Sequence, residues 1–231
     1  MTYVLHYAPD NASLIIRLAL EHGDIPYRTC LVDRAARAQD SAGFRALNPN
    51  GLIPVLETPD GPLFETGAIL LWLADRHGGL GPAPKDPGRG AFLKWLFYLS
   101  NTPHALLRQI FYADRYIGRD HADTLYRGLT PHVAQSFATL DAQAADRHSL
   151  LGATEANALQ FYLCALLRWS ALYPRDMDRG WFDLSRYPAL DALCHRIEAL
   201  PCVAALCQAE GMSPAPFSAP TPATPPEGSA T

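Results

Sequence analysis

At 231 residues the chain exceeds one typical domain and suits two small ones, and a hydrophobic content of 48% is ample for buried cores. The net charge is −4 and the sequence pI about 6.0, with no cluster of Lys or Arg, which argues against nucleic acid or an anionic membrane as partner. The apolar run Ala68 to Ala74 is far too short to span a bilayer, and the opening residues lack the basic segment and apolar core of a signal peptide.

Tyr3 to Tyr7 is short and β-prone and reads as a strand. Pro9-Asp10-Asn11 turns it. Ser13 then begins an apolar helix closed by Gly23. Tyr27 to Val32 reads as a second strand, parallel to the first through a right-handed βαβ crossover. Ala35 to Leu47 is polar and mixed, and reads as a loose helix. Gly51 breaks the chain before Leu52-Ile53-Pro54-Val55-Leu56. Proline cannot donate to a β-ladder, so Pro54 is expected at the head of an edge strand, and a cis Ile53–Pro54 bond suits so tight a bend. Such a bend leaves the N–H and C=O of Ile53 facing outward, able to pair with the backbone of an extended, peptide-like ligand. Pro59-Asp60-Gly61-Pro62 turns the chain into Leu63-Phe64. Glu65-Thr66 opens a helix running to about His77, and helix N-termini bind carboxylates through free N–H groups and the macrodipole. The order βαβαββα predicts an α/β thioredoxin-like domain over residues 1–77.

The Gly- and Pro-rich stretch 78–88 is a linker. Beyond it helical periodicity takes over, at roughly 89–117, 121–147, 154–172, 187–199 and 201–210, giving an all-α domain over 89–211. Pro103 should kink the first of these helices or start a new turn. The Pro, Ala, Ser and Thr content of 212–231 predicts disorder.

Ile53-Pro54 followed by Glu65-Thr66 and Gly67-Ala68-Ile69-Leu70 resembles the glutathione site of the glutathione transferase family. The resemblance covers about residues 3–211. It implies that Ile53 and Pro54 pair with the cysteinyl backbone of glutathione and that Glu65 and Thr66 hold its γ-glutamyl end. Thr154-Glu155-Ala156-Asn157 resembles the family's helix-capping box, with Asn157 in place of the acid. Tyr187-Pro188-Ala189-Leu190 and Leu200-Pro201 match its last two helices. The loop Tyr7-Ala8-Pro9-Asp10-Asn11-Ala12-Ser13 looks like that of the bacterial beta class, with Ala12 where that class has a cysteine. A mixed disulfide with glutathione at that position is therefore ruled out.

The reaction this resemblance implies is attack of the glutathione thiolate on a small, apolar electrophile. A free thiol titrates near ~8.5, so the protein must stabilise the sulfur anion. Ser13 at the helix start, Tyr7 at the strand end and the Asn11 amide are the candidate donors. Their blander readings are an N-cap, a packed core residue and a turn-former. His104 matches a beta-class histidine that reaches glutathione, although Ala105 replaces the lysine that follows it. Leu52 stands where the family has a glutamine, and Asn50 is the candidate to compensate. Phe97, Tyr98, Leu106, Arg108, Phe111, Tyr112 and Arg115 are co-substrate candidates, most of them expected to be ordinary core. The five cysteines, Cys30, Cys164, Cys194, Cys202 and Cys207, include no CxxC and suit reduced, mostly buried thiols in the cytoplasm. No zinc-like spacing, GxSxG, Walker loop or dinucleotide fingerprint is present, so no metal is expected. The family also implies a homodimer. Isomerisation, peroxide reduction, ether cleavage, dehalogenation or a non-catalytic binding role are the alternatives on the same fold.

Overall fold

The computed structural model describes residues 2–230. The chain divides into two compact units: one runs to Arg89 and takes in Glu198–Pro216 and the residues from Thr221 on, and the other holds Gly90–Ile197 with Phe217–Pro220.

The first unit is built on a four-stranded sheet, β1 (Tyr3–Tyr7), β2 (Tyr27–Leu31), β3 (Val55–Thr58) and β4 (Gly61–Phe64), in the order β2-β1-β3-β4. β1 and β2 are parallel, while β3 pairs antiparallel with both β1 and β4. α1 (Ser13–His22) makes the crossover, and every residue from Ser13 to Leu20 is buried. A helix buried on all sides needs neighbours on several sides, and a partner for its buried Arg17. It has them in the sheet, in α3 (Thr66–His77) and in α10 (Pro201–Glu210). α2 (Ala42–Leu47) starts at Ser41, whose side chain accepts the Phe44 N–H, and Phe44 joins Val32 and Val55 in a small core. The result is a thioredoxin-like unit to which the last helix also belongs, whereas the sequence placed that helix in the all-α domain. β3 is an inner strand and not an edge. Pro54 lies one residue before the ladder begins, so no ladder N–H is asked of it.

The second unit is helical: α4 (Arg89–Asn101, whose first residue belongs to the first unit), α5 (Pro103–Phe111), α6 (Ala113–Tyr116), α7 (Ala122–Ala145), α8 (Ala158–Leu172) and α9 (Pro188–Glu198, whose last residue belongs to the first unit). The expected helix 89–117 is thus three pieces, and Pro103 takes the first position of the second, where its missing N–H costs nothing. α7 carries Pro131 without breaking. α8 is buried from Ala158 to Ser170. Its N-cap is Asn157, with Oδ1 accepting from the N–H of Leu159 (3.1 Å) and Gln160 (3.4 Å), so the helix starts four residues later than the box at Thr154 suggested.

The segment after α10 is packed, contrary to the expectation of disorder. Met212, Phe217 and Ala223 are buried. Gly211, at φ 64°, ends the helix, and its carbonyl accepts the Thr224 N–H at 2.8 Å. Spaced apolar anchors supply the burial that the mean composition hides, and the prolines between them have little chain entropy to lose.

Candidate functional site

The register brings several chain ends to one end of the sheet: Tyr7 opposes Leu31, His6 opposes Val55, and Val55 opposes Phe64. The loops leaving these residues are Ala8–Ala12, Asn48–Pro54 and Glu65–Thr66, the stretches that the sequence singled out.

Asn48, 2% exposed, organises the second loop. Its Nδ2 donates to the Leu52 carbonyl (2.8 Å) and its Oδ1 accepts the Asn50 N–H (3.0 Å). Gly51 adopts φ 63°, and a Cβ there would lie 3.0 Å from the Gln39 carbonyl oxygen, so glycine is required. The Ile53–Pro54 bond is cis. The Ile53 side chain packs against the Val32–Phe44–Val55 core, and its N–H and C=O make no hydrogen bond among the described residues. A donor and an acceptor on one residue, unpaired beside a sheet, form a docking edge for an extended backbone. Asn50 is exposed, and its backbone N–H is already committed to Asn48.

Glu65 holds φ 70°, ψ 113°, a conformation that L-residues rarely adopt. Its carbonyl accepts the Ile69 N–H (3.0 Å) while its carboxylate remains exposed. Thr66 opens α3 and is 6% exposed. The first-turn N–H groups of α3 have no intrahelical acceptor, and no acidic side chain stands in that turn. An anion is therefore favoured there, and the exposed carboxylate beside it suits an accompanying ammonium.

The first loop commits most of its polar atoms to the protein. Ser13 is fully buried; its hydroxyl donates to the Ala8 carbonyl (3.0 Å) and accepts the Ala8 N–H (3.3 Å). Tyr7 is 2% exposed and its O–H donates to the Glu227 carboxylate. Burial first, and Glu227 second, push its phenol well above the ordinary tyrosine range. The Arg17 guanidinium lies 4.8 Å from the Tyr7 ring centre and pairs through Nε with Glu210 (3.0 Å). Glu210 also accepts the Asp10 N–H (2.8 Å), fixing a turn in which Asp10 takes φ 52°. Burial raises the Glu210 carboxyl to about 7, with Arg17 pulling the other way. Asn11 differs from its neighbours: Oδ1 accepts the Ala12 N–H (2.8 Å), its amide NH2 makes no hydrogen bond among the described residues, and the residue is partly exposed.

In the helical unit, His104 Nδ1 bonds the Tyr162 hydroxyl (2.7 Å), and its ring stands against Tyr162 and Trp169. Burial, helped by Arg108, lowers it to about 4, so it is a neutral imidazole at physiological pH. The co-substrate candidates on α4 to α6 are not core. Phe92, Leu96, Leu99, Leu107 and Ile110 take the buried phase, and Phe97 is 55% exposed. A cleft of about 570 Å³ elsewhere in this unit is lined by Thr130, Trp181, Arg186 and Tyr187 among others. No group of His, Cys, Asp or Glu among the described residues could hold a metal, and no helix is long and apolar enough to cross a membrane. The sequence reading missed Asn48, Glu210 and Glu227. Asn48 was visible as the head of an Asn-Pro-Asn-Gly turn. Glu227 had no local signal, standing 220 residues from Tyr7.

Residues 12–76 match the family model for the glutathione S-transferase N-terminal domain. The chain is 29% identical over 217 residues to the glutathione S-transferase GST-4.5 of Xanthomonas campestris pv. campestris, across 90% of this chain and 99% of that one. It is 37% identical over 101 residues to the disulfide-bond oxidoreductase YfcG of Escherichia coli, across 41% of this chain and 46% of that one. A sphingomonad glutathione S-transferase, solved in complex with glutathione, aligns with a TM-score of 0.74 at 29% identity, covering 91% of this chain and 100% of that one.

Proposed function

The chain belongs to the glutathione transferase family, and on that premise we propose that it binds glutathione at the sheet end of its first unit and joins the thiolate sulfur to a small, apolar electrophile. The observation that carries this reading is the unpaired Ile53 backbone beside the open N-terminus of α3. Glutathione is an extended peptide with a carboxylate and an ammonium at its γ-glutamyl end. Ile53 pairs with its cysteinyl backbone. Thr66 and the first turn of α3 take the carboxylate, and Glu65 takes the ammonium.

A thiol near ~8.5 needs a hydrogen-bond donor to ionise at neutral pH. Ser13 is committed to Ala8 and Tyr7 to Glu227, so the Asn11 amide is the donor with capacity left. The thiolate attacks the electrophilic carbon, a C–S bond forms, and the leaving group departs with its electron pair. A cytoplasmic homodimer using no metal is part of the same proposal. Reactions in which glutathione itself carries the redox or isomerising step are the second reading. It is favoured by the similarity to an oxidoreductase and limited by Ala12, which offers no protein thiol.

Calorimetry with glutathione, followed by turnover of a chloronitrobenzene, tests the proposal. Binding with turnover is expected. Binding without turnover moves the protein to the second reading, and no binding leaves a non-catalytic scaffold. Thr66→Ala should weaken glutathione binding about 5–30-fold, from the loss of about 1–2 kcal/mol in a hydrogen bond to a charged group. Unchanged affinity with reduced stability would reduce Thr66 to a helix-start residue.

A further inference from the structure

The segment Thr224–Gly228 crosses the same end of the sheet as the candidate glutathione site. It is tied down at both ends. At one, the Thr224 N–H meets the Gly211 carbonyl, and a Cβ on Gly211 would lie only 2.0 Å from the Thr224 oxygen. At the other, Gly228 lies against Leu31 and Pro9, where a Cβ would fall 2.8 Å and 3.4 Å from their side chains. Between them Glu227 accepts the hydrogen bond that the Tyr7 hydroxyl donates. Glu227 and Gly228 are themselves exposed, so this part of the segment lies on the surface.

A phenol has one proton. While Tyr7 donates to Glu227 it cannot donate to a sulfur anion, and a carboxylate beside that sulfur disfavours the anion further. We propose that Thr224–Gly228 is a strap, latched by Glu227, that withholds Tyr7 from thiol activation and so sets how acidic bound glutathione becomes. When the latch opens, the Tyr7 hydroxyl turns to the sulfur and adds a second donor to Asn11. Glu227 is thus a positioning residue acting through Tyr7. The inference rests on the glutathione reading and adds a control to the same site.

The test uses the full chain as wild type, Glu227→Gln, Glu227→Ala and the double variant Glu227→Ala with Tyr7→Phe. Without glutathione, 13C-labelled tyrosine followed by NMR reports the ionisation of Tyr7, which should fall toward the ordinary tyrosine range when Glu227 is replaced. With glutathione, thiolate absorbance against pH should show the bound thiol ionising about one unit lower in Glu227→Ala, which removes the acceptor, about tenfold more thiolate at a given pH below the transition. Adding Tyr7→Phe should erase that gain, which a merely structural role for Glu227 would not predict. A thiol titration unmoved or raised in Glu227→Ala overturns the strap, as does a Tyr7 ionisation insensitive to Glu227. If every variant binds glutathione and only the titrations stay fixed, the strap alone fails. If none binds it, the glutathione reading fails and the strap goes with it.

Discussion

Ser13 and Asn11 stand two positions apart in one loop and hold their polar atoms in opposite ways. The Ser13 hydroxyl closes a ring with both backbone groups of Ala8, which fixes the path from β1 into α1. Asn11 uses only its carbonyl oxygen on the protein. Ser13→Ala should therefore cost about 1–2 kcal/mol of unfolding free energy, since it leaves buried Ala8 groups unpaired, and should leave the bound thiol's titration where it was. Asn11→Ala should do the reverse, raising the thiol pKa by roughly one unit with little change in denaturation midpoint. Thiolate absorbance against pH and urea unfolding of the two variants separate these outcomes. A thiol that titrates higher in Ser13→Ala would return the role to the hydroxyl. The sequence named both residues as donors, because residue type and place are local facts. It could not rank them, because the rank depends on which atoms the folded loop uses up.

Elements were legible wherever their determinants are close in sequence. β1, the crossover, the Ile53–Pro54 bend and the start of α3 at Thr66 all follow from neighbouring turn residues and apolar runs. Misreadings arose where one side chain decides between neighbouring options. The Asn157 amide starts α8, accepting from two first-turn N–H groups while its Nδ2 donates to the Leu150 carbonyl (2.8 Å). Asn157→Ala should thus cost about 1–2 kcal/mol, at the upper end for a cap, measured by urea unfolding. Gly211 is the matching case at the end of α10. Gly211→Ala combines an unfavourable φ of 64° with a Cβ 2.0 Å from the Thr224 carbonyl oxygen. The backbone cannot absorb that, so Ala223–Gly228 should detach while α10 stays in place. Amide hydrogen exchange should rise sharply across Thr224–Gly228 and little within α10. Protection unchanged in both would mean that the carbonyl shifts aside.

At the scale of the whole chain, what the sequence concealed is long-range pairing. The sheet order is set by β1 meeting β3 across some fifty residues, a pairing the sequence did not show, since it placed the Pro54 strand at an edge. The buried pair Arg17–Glu210 spans 193 residues and has no pattern at all. Glu210 in the first unit and His104 in the second are both strongly displaced in the acid to neutral range, and the two act on stability in opposite directions. Glu210 is raised from 4.5 to about 7, chiefly by burial. Between those values the folded chain holds a proton that the unfolded chain has lost, so this group's contribution falls as pH rises from about 4.5 to 7. His104 is lowered from 6.5 to about 4, again chiefly by burial. Between those values the unfolded chain binds a proton that the folded chain refuses, so its contribution falls as pH drops from about 6.5 to 4. The wild-type stability curve should therefore be flatter across pH 4.5–6.5 than either group alone would make it. Replacing each by a neutral, polar residue exposes the other. His104→Asn should leave a chain that loses stability as pH rises through that window, and Glu210→Gln one that gains it. Urea unfolding at half-unit pH steps reads the slopes, whose sign depends on the titrating group and not on the general cost of the substitution. Parallel slopes in the two variants would show that neither group is displaced as its burial requires.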